Sequence, residues 1–234
     1  MRRILLAVAA CALVAAPPAA AQYVGEPAQQ RPPEPPAGPP EAEEVQPEAP
    51  APEGDRHRGF YFRADLGGGY LGSSARMAVD GQMTSVSIEG GALSFSLAVG
   101  GAPIENLVIA AEAWMISAGD PLRVAGGTSV RVSDSSLDFF GMGVQLTGYL
   151  PSLNAYLSVT PSLTSMSVRE GYTTVSTRDG FGLKVGAGWE LRIGGSWGLG
   201  LAGQFFYGSN EDAGAPGVTW TNVGGALAFT ATYN

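Results

Sequence analysis

Cysteine occurs once in this 234-residue chain, as Cys11, and histidine once, as His57. Cys11 lies in a segment that reads as removable, so the rest of the chain forms no internal disulfide and no cysteine-based metal site. Charge is also scarce: 15% of residues are Asp, Glu, Lys or Arg, against about 25% in ordinary soluble domains. The formal net charge is -8, which argues against a nucleic-acid partner held through its phosphates. Beyond the first 21 residues no continuous apolar run reaches the ~20 residues that a membrane helix needs. What the chain has in abundance is glycine, at 34 positions, and 17 prolines crowded toward its first quarter.

The amino terminus reads as an export signal. Met1-Arg2-Arg3 is basic, Ile4 to Ala16 is apolar, and Ala19-Ala20-Ala21 supplies small residues before a cut between Ala21 and Gln22. Val8-Ala9-Ala10-Cys11 resembles a lipobox, but a cut there leaves too short an apolar run. Residues 22–58 change composition abruptly, with Arg31-Pro32-Pro33-Glu34-Pro35-Pro36 and Glu41-Ala42-Glu43-Glu44. Such a segment buries too little apolar surface to offset its ordering entropy and is expected to be a disordered or polyproline-like periplasmic linker. It reads as a spacer, or as a tether to a periplasmic or cell-wall partner. At ~3.1 Å per residue its reach is about 100 Å.

From residue 59 to 234 the pattern has period two. Phe60, Phe62, Ala64, Leu66 and Tyr70 share one face, while Tyr61, Arg63, Asp65, Gly67 and Gly69 share the other. Alternation of this kind predicts a strand whose faces meet different surroundings. Seven more segments repeat it, near 92–100, 107–117, 140–150, 157–163, 181–192, 197–207 and 223–233. In the sixth, Phe181, Leu183, Val185, Ala187, Trp189 and Leu191 oppose Gly182, Lys184, Gly186, Gly188, Glu190 and Arg192. Pro161 in the fifth lacks a ladder donor, so a bulge or local break is expected there. The connections alternate long and short: 73–91, 118–135, 169–180 and 209–221 are long, and 101–106, 151–154 and 194–196 are short. An up-and-down barrel with both termini in the periplasm requires that order. Asp80-Gly81 in the first long connection is a hairpin signal, so the flanking strands are expected to continue past the membrane.

Polarity decides which face meets lipid. The alternating apolar positions carry no charge, while the other face holds glycine, serine, threonine and a few charges. A water-facing wall so poor in lysine and glutamate would be poorly soluble, and in lipid only helices and closed barrels satisfy the backbone. The prediction is an all-β fold, a transmembrane up-and-down antiparallel barrel of about eight strands. Phe60, Tyr61, Tyr70, Tyr149, Tyr156, Trp189, Trp197, Tyr207 and Tyr233 lie near strand ends and are expected in interfacial girdles.

Gly59-Phe60-Tyr61-Phe62-Arg63-Ala64-Asp65-Leu66-Gly67-Gly68-Gly69-Tyr70 resembles the first strand of the small OmpA/OmpX-like outer-membrane proteins. Asn222, Gly224, Leu227 and Phe229 are similar to the signal read by the barrel-assembly machinery, although Asn234 rather than an aromatic residue ends the chain. The resemblance covers the barrel domain only, with no peptidoglycan-binding domain, and implies a monomer in the cell outer membrane.

Enzymes among small outer-membrane barrels generally use a histidine beside a serine or an acid. His57 precedes the first strand and cannot reach the outer rim, so no catalytic residue, cofactor or metal is expected. The candidate site is instead an interior polar network of Arg63, Asp65, Glu112, Lys184, Glu190 and Arg192. In a narrow bore such charges pair, because an unpaired buried charge is costly. The expected role is structural or loop-mediated, with the interior plugged by polar side chains. A narrow solute or ion channel is the alternative, and an adhesin, receptor or lipid-modifying barrel stands further off.

Overall fold

A computed structural model describes residues 59–79, 82–193 and 195–233. The signal segment 1–21, the cut between Ala21 and Gln22, the linker 22–58 and the Asp80-Gly81 turn lie outside the described residues. Eleven strands follow in chain order: β1 (Gly59–Val79), β2 (Gln82–Ile104), β3 (Leu107–Gly119), β4 (Leu122–Ala125), β5 (Thr128–Arg131), β6 (Ser135–Leu150), β7 (Ala155–Glu170), β8 (Thr173–Ser176), β9 (Gly180–Ile193), β10 (Trp197–Glu211) and β11 (Thr219–Tyr233).

Among the described residues, β1, β2, β3, β6, β7, β9, β10 and β11 are the staves of an antiparallel ring. β1 pairs with both β2 and β11, which closes it. Closure removes the unpaired edge that an open sheet would present to lipid. Pairs followed around the ring run Ala64, Leu97, Ala113, Met142, Leu163, Phe181, Ser209, Thr221 and back to β1 at Ser74. The stagger from 64 to 74 is a shear of ten residues, and such stagger accompanies a strand tilt of about 40°.

At one end the connections are tight. Asn106 and Asn154 close two of them in the left-handed region, with φ of 63° and 50°, a conformation that asparagine tolerates. At the other end the segments expected as long loops are mostly paired structure. β1 and β2 pair as far as Val79 and Gln82; β4 and β5 form a hairpin whose first strand joins β2; β8 folds back on β7. The Asp80-Gly81 signal anticipates the first of these extensions, whereas patterning misses β4, β5 and β8, along which burial does not alternate.

Pro161 breaks the ladder without a bulge. The β6–β7 pairing skips from Gly143–Ser162 to Leu146–Val159 and resumes in unchanged register. On its other side Pro161 sits opposite Leu183 in an uninterrupted β7–β9 ladder. The one register shift in the β2–β3 pairing falls near the tight turn, between Gly101 and Ile104.

The outer wall is an apolar belt. Leu66, Leu93, Leu163, Leu227 and Phe229 are 63–79% exposed, which in water would be an aggregation surface. On β10 the belt runs from Trp197 to Tyr207, eleven residues, which matches the roughly 9–11 tilted residues that cross a bilayer. Ser74, Ser117, Asp138, Ser165, Ser209 and Thr221 follow on the same face and end it. There Asp138 accepts hydrogen bonds from the Ser117 and Ser136 hydroxyls. At the opposite margin Tyr233 packs against Trp197 and Phe60, with ring centroids 5.2 and 6.3 Å apart. Tyr61, Tyr149 and Tyr156 do not join this girdle: all three point into the bore and are buried. Proximity to a strand end could not tell inward from outward, whereas their odd or even position in the stave does.

Candidate functional site

The inner face sorts into layers. Nearest the tight turns, Arg63 is held among aromatic rings. Its Nη2 donates to the Tyr149 hydroxyl and to Glu190 Oε1, both at 3.1 Å, and its guanidinium carbon lies 3.8 Å from the Tyr156 ring centre. A planar, weakly hydrated cation suits such a stack. Glu190 Oε1 also accepts from Thr232 at 2.8 Å and Thr230 at 3.3 Å. One carboxylate of β9 therefore ties β1 and β11 together.

Midway up the bore, Lys184 of β9 reaches across to β3 and β2. Its Nζ donates to Glu112 Oε1 at 2.6 Å, Ser96 Oγ at 2.8 Å and Asp65 Oδ2 at 3.5 Å. Those three partners exhaust an ammonium's donors. Asp65 Oδ2 accepts further bonds from Ser96 Oγ at 2.7 Å and Gln204 Nε2 at 2.9 Å, and Thr160 donates to Glu112 Oε2. Arg63, Asp65, Glu112, Lys184 and Glu190 are each at most 8% exposed. Arg192 lies two residues beyond Glu190 toward the strand end, half-buried on the same face. The six residues carry three charges of each sign, so the bore is electrically balanced over its length.

Above this polar girdle, toward the long connections, the interior turns apolar. Trp114 stacks against Phe139 and Phe206 with centroids 5.1 and 5.2 Å apart, and Leu71, Ile116 and Leu137 complete the layer. The Trp114 indole is satisfied by Ser162 Oγ at 3.0 Å. The expectation of an interior plugged by polar side chains is met lower in the bore, whereas this end is filled by a hydrophobic core. The signal that identifies it is the placing of glycines. A Cβ on Gly141 would lie 2.3 Å from Trp114, and one on Gly208 would lie 2.4 Å from Phe139. Gly141, Gly188 and Gly208 thus mark where the rings of Trp114, Tyr156 and Phe139 enter the bore.

Closed ring, lipid-width apolar belt and filled interior together define a small transmembrane β-barrel. Eight antiparallel staves closed in this way agree with the fold that the first strand's resemblance implies. The chain is similar in fold to Neisserial surface protein A, at 16% identity and a TM-score of 0.48, over 74% of this chain and 96% of that one. It is similar also to the outer-membrane protein AlkL, solved in lipid bilayers, at 17% identity and 0.43, over 81% of this chain and 96% of that one. OprG from Pseudomonas aeruginosa gives 10% identity and 0.46, over 78% and 100%. No family model and no curated protein sequence matches the chain. These likenesses are of fold; what the barrel does must be argued from its own residues.

Proposed function

We propose that this chain is a non-enzymatic outer-membrane barrel with a plugged bore, a rigid scaffold that presents its long connections outside the cell. The observation that carries this reading is the cross-bore engagement of Lys184 by Glu112 and Asp65, capped by the Trp114–Phe139–Phe206 layer. A buried cation with three bonded acceptors is a brace rather than a ligand for passing ions, since each departure would strand two carboxylates. The apolar layer above offers a permeating ion nothing to replace its hydration. In this reading both termini are periplasmic, β11 is the strand presented to the barrel-assembly machinery, lipid surrounds a monomer, and the linker serves the periplasm or cell wall.

Single-channel recording on the mature barrel in planar bilayers tests it. The wild type is expected to show no steady conductance. Lys184→Met leaves two carboxylates without their cation, costing about 3–5 kcal/mol, and is expected to lower the unfolding midpoint in urea and to cause brief, irregular openings. Steady wild-type conductance, with ion selectivity shifted by Lys184→Met and stability unchanged, would replace the plug with a narrow channel.

A further inference from the structure

Beyond the aromatic layer the bore widens into a cup of about 520 Å3 at the long-connection end. Met77 of β1, Val86 and Ile88 of β2, Met166 of β7 and Trp220 of β11 line its walls, with Val175 of β8 at the lip. Four of these wall residues belong to the same buried cluster as Trp114 and Phe139, and Met77 packs against it, so the walls of the cup are continuous with the plug. Cups of roughly 300–1,000 Å3 with apolar walls and a few polar rim groups are the usual form of small-molecule sites.

We propose that this cup binds a small, uncharged, apolar molecule, of the size of a fused two-ring aromatic alcohol, from the external medium. The rim groups argue for neutrality. Arg123 is paired with Glu170. Both oxygens of Asp212 are engaged: Oδ2 accepts from Trp220 Nε1 at 2.9 Å, and Oδ1 from the Gly214 and Ala215 amides at 2.8 and 2.9 Å. The Trp220 indole N–H above all holds the Asp212 carboxyl below the usual carboxylate range, which keeps it ionised. Arg123, Glu170 and Asp212 together leave the rim one negative charge in excess, so an anion is repelled. A cation is drawn by that excess charge, but three of the roughly four lone-pair sites of Asp212 are already taken, and the apolar walls would strip its hydration without replacing it. A neutral guest meets neither penalty and removes apolar wall from water.

The proposal shares this buried cluster with the plugged reading, but its test is independent of conductance. The methionines supply the probe. Met77 and Met166 line the cup, whereas Met115 and Met142 are exposed on the outer belt. The full barrel, labelled with carbon-13 at its methionine methyls and held in lipid nanodiscs, is titrated with 2-naphthol and, in parallel, with anionic 2-naphthoate. Saturable ring-current shifts are expected at Met77 and Met166 with 2-naphthol, and binding weaker by about tenfold or more with 2-naphthoate. Val175→Trp, at an exposed lip position, is expected to fill the cup and weaken 2-naphthol binding by about tenfold, with Met115 and Met142 signals unmoved. Shifts confined to Met115 and Met142 would mean partition into lipid and overturn the proposal. So would equal affinity for the two probes, or undiminished binding in a folded Val175→Trp variant.

Discussion

At the scale of the residue, alternation reads direction well and identity of partner not at all. The side of β9 that carries Lys184 and Glu190 is set by their even positions among outward Val185, Trp189 and Leu191. Nothing local says that Lys184 meets Glu112, 72 positions away, because that contact depends on how the ring closes. Trp114 and Ile116 were harder still. Both faces of β3 are apolar, Val108, Ala110, Trp114 and Ile116 inward against Leu107, Ile109 and Met115 outward, with Glu112 the only charge to break the tie. The glycines complement these rings and are the more testable for it. Gly208→Leu drives a Cβ to 2.4 Å from Phe139 and is expected to cost about 1–3 kcal/mol of overpacking. Gly203→Ala, on the outer wall with nothing within 4 Å, is expected to stay within about 0.5 kcal/mol of wild type. Urea unfolding in detergent micelles compares them, and equal stability of the two variants would remove the ring-and-imprint account of the plug.

At the scale of the element, the eight staves were legible because each belt segment separates lipid from bore with a strict change of polarity. Of their extensions, the one announced by Asp80-Gly81 was legible: Ser73 to Val79 pair with Gln82 to Ile88 beyond the belt. The β4–β5 hairpin and β8 were not, because burial does not alternate along them. The tyrosines mark the converse limit: Tyr61, Tyr149 and Tyr156 sit where an interfacial ring would, yet turn inward to enclose Arg63. The belt itself makes a quantitative prediction. Val185 lies midway along β9 on the lipid face, so Val185→Arg is expected to cost about 2–4 kcal/mol if a bilayer surrounds it. Thr173→Arg, on exposed β8, is expected to be neutral. Refolding into lipid vesicles followed by denaturant titration separates the two, and equal tolerance would place the apolar face away from lipid.

At the scale of the whole molecule, one number ties the layers together: a shear of ten over eight staves. A bore of that girth is just wide enough for side chains to fill, which is why two charge clusters and one aromatic layer suffice to close it. The fill is also what makes the barrel cooperative. Lys184 links β9 to β1, β2 and β3, and Arg63 links β1 to β6 and β9, so opening any seam disturbs contacts on the opposite wall. Such a closed, cross-braced structure should survive detergent that dissolves its surroundings, and should unfold as a unit on heating. The chain expressed with its native amino terminus in a Gram-negative host is therefore expected in the outer-membrane fraction. Intact mass is expected to begin at Gln22, and gel migration of the unheated sample to differ from that of the boiled one. A change of migration lost in Lys184→Met at a temperature the wild type tolerates would tie that stability to the interior brace. Recovery of the mature chain as a soluble periplasmic monomer without detergent would contradict the lipid-facing belt, and with it the placement of every outward residue named above.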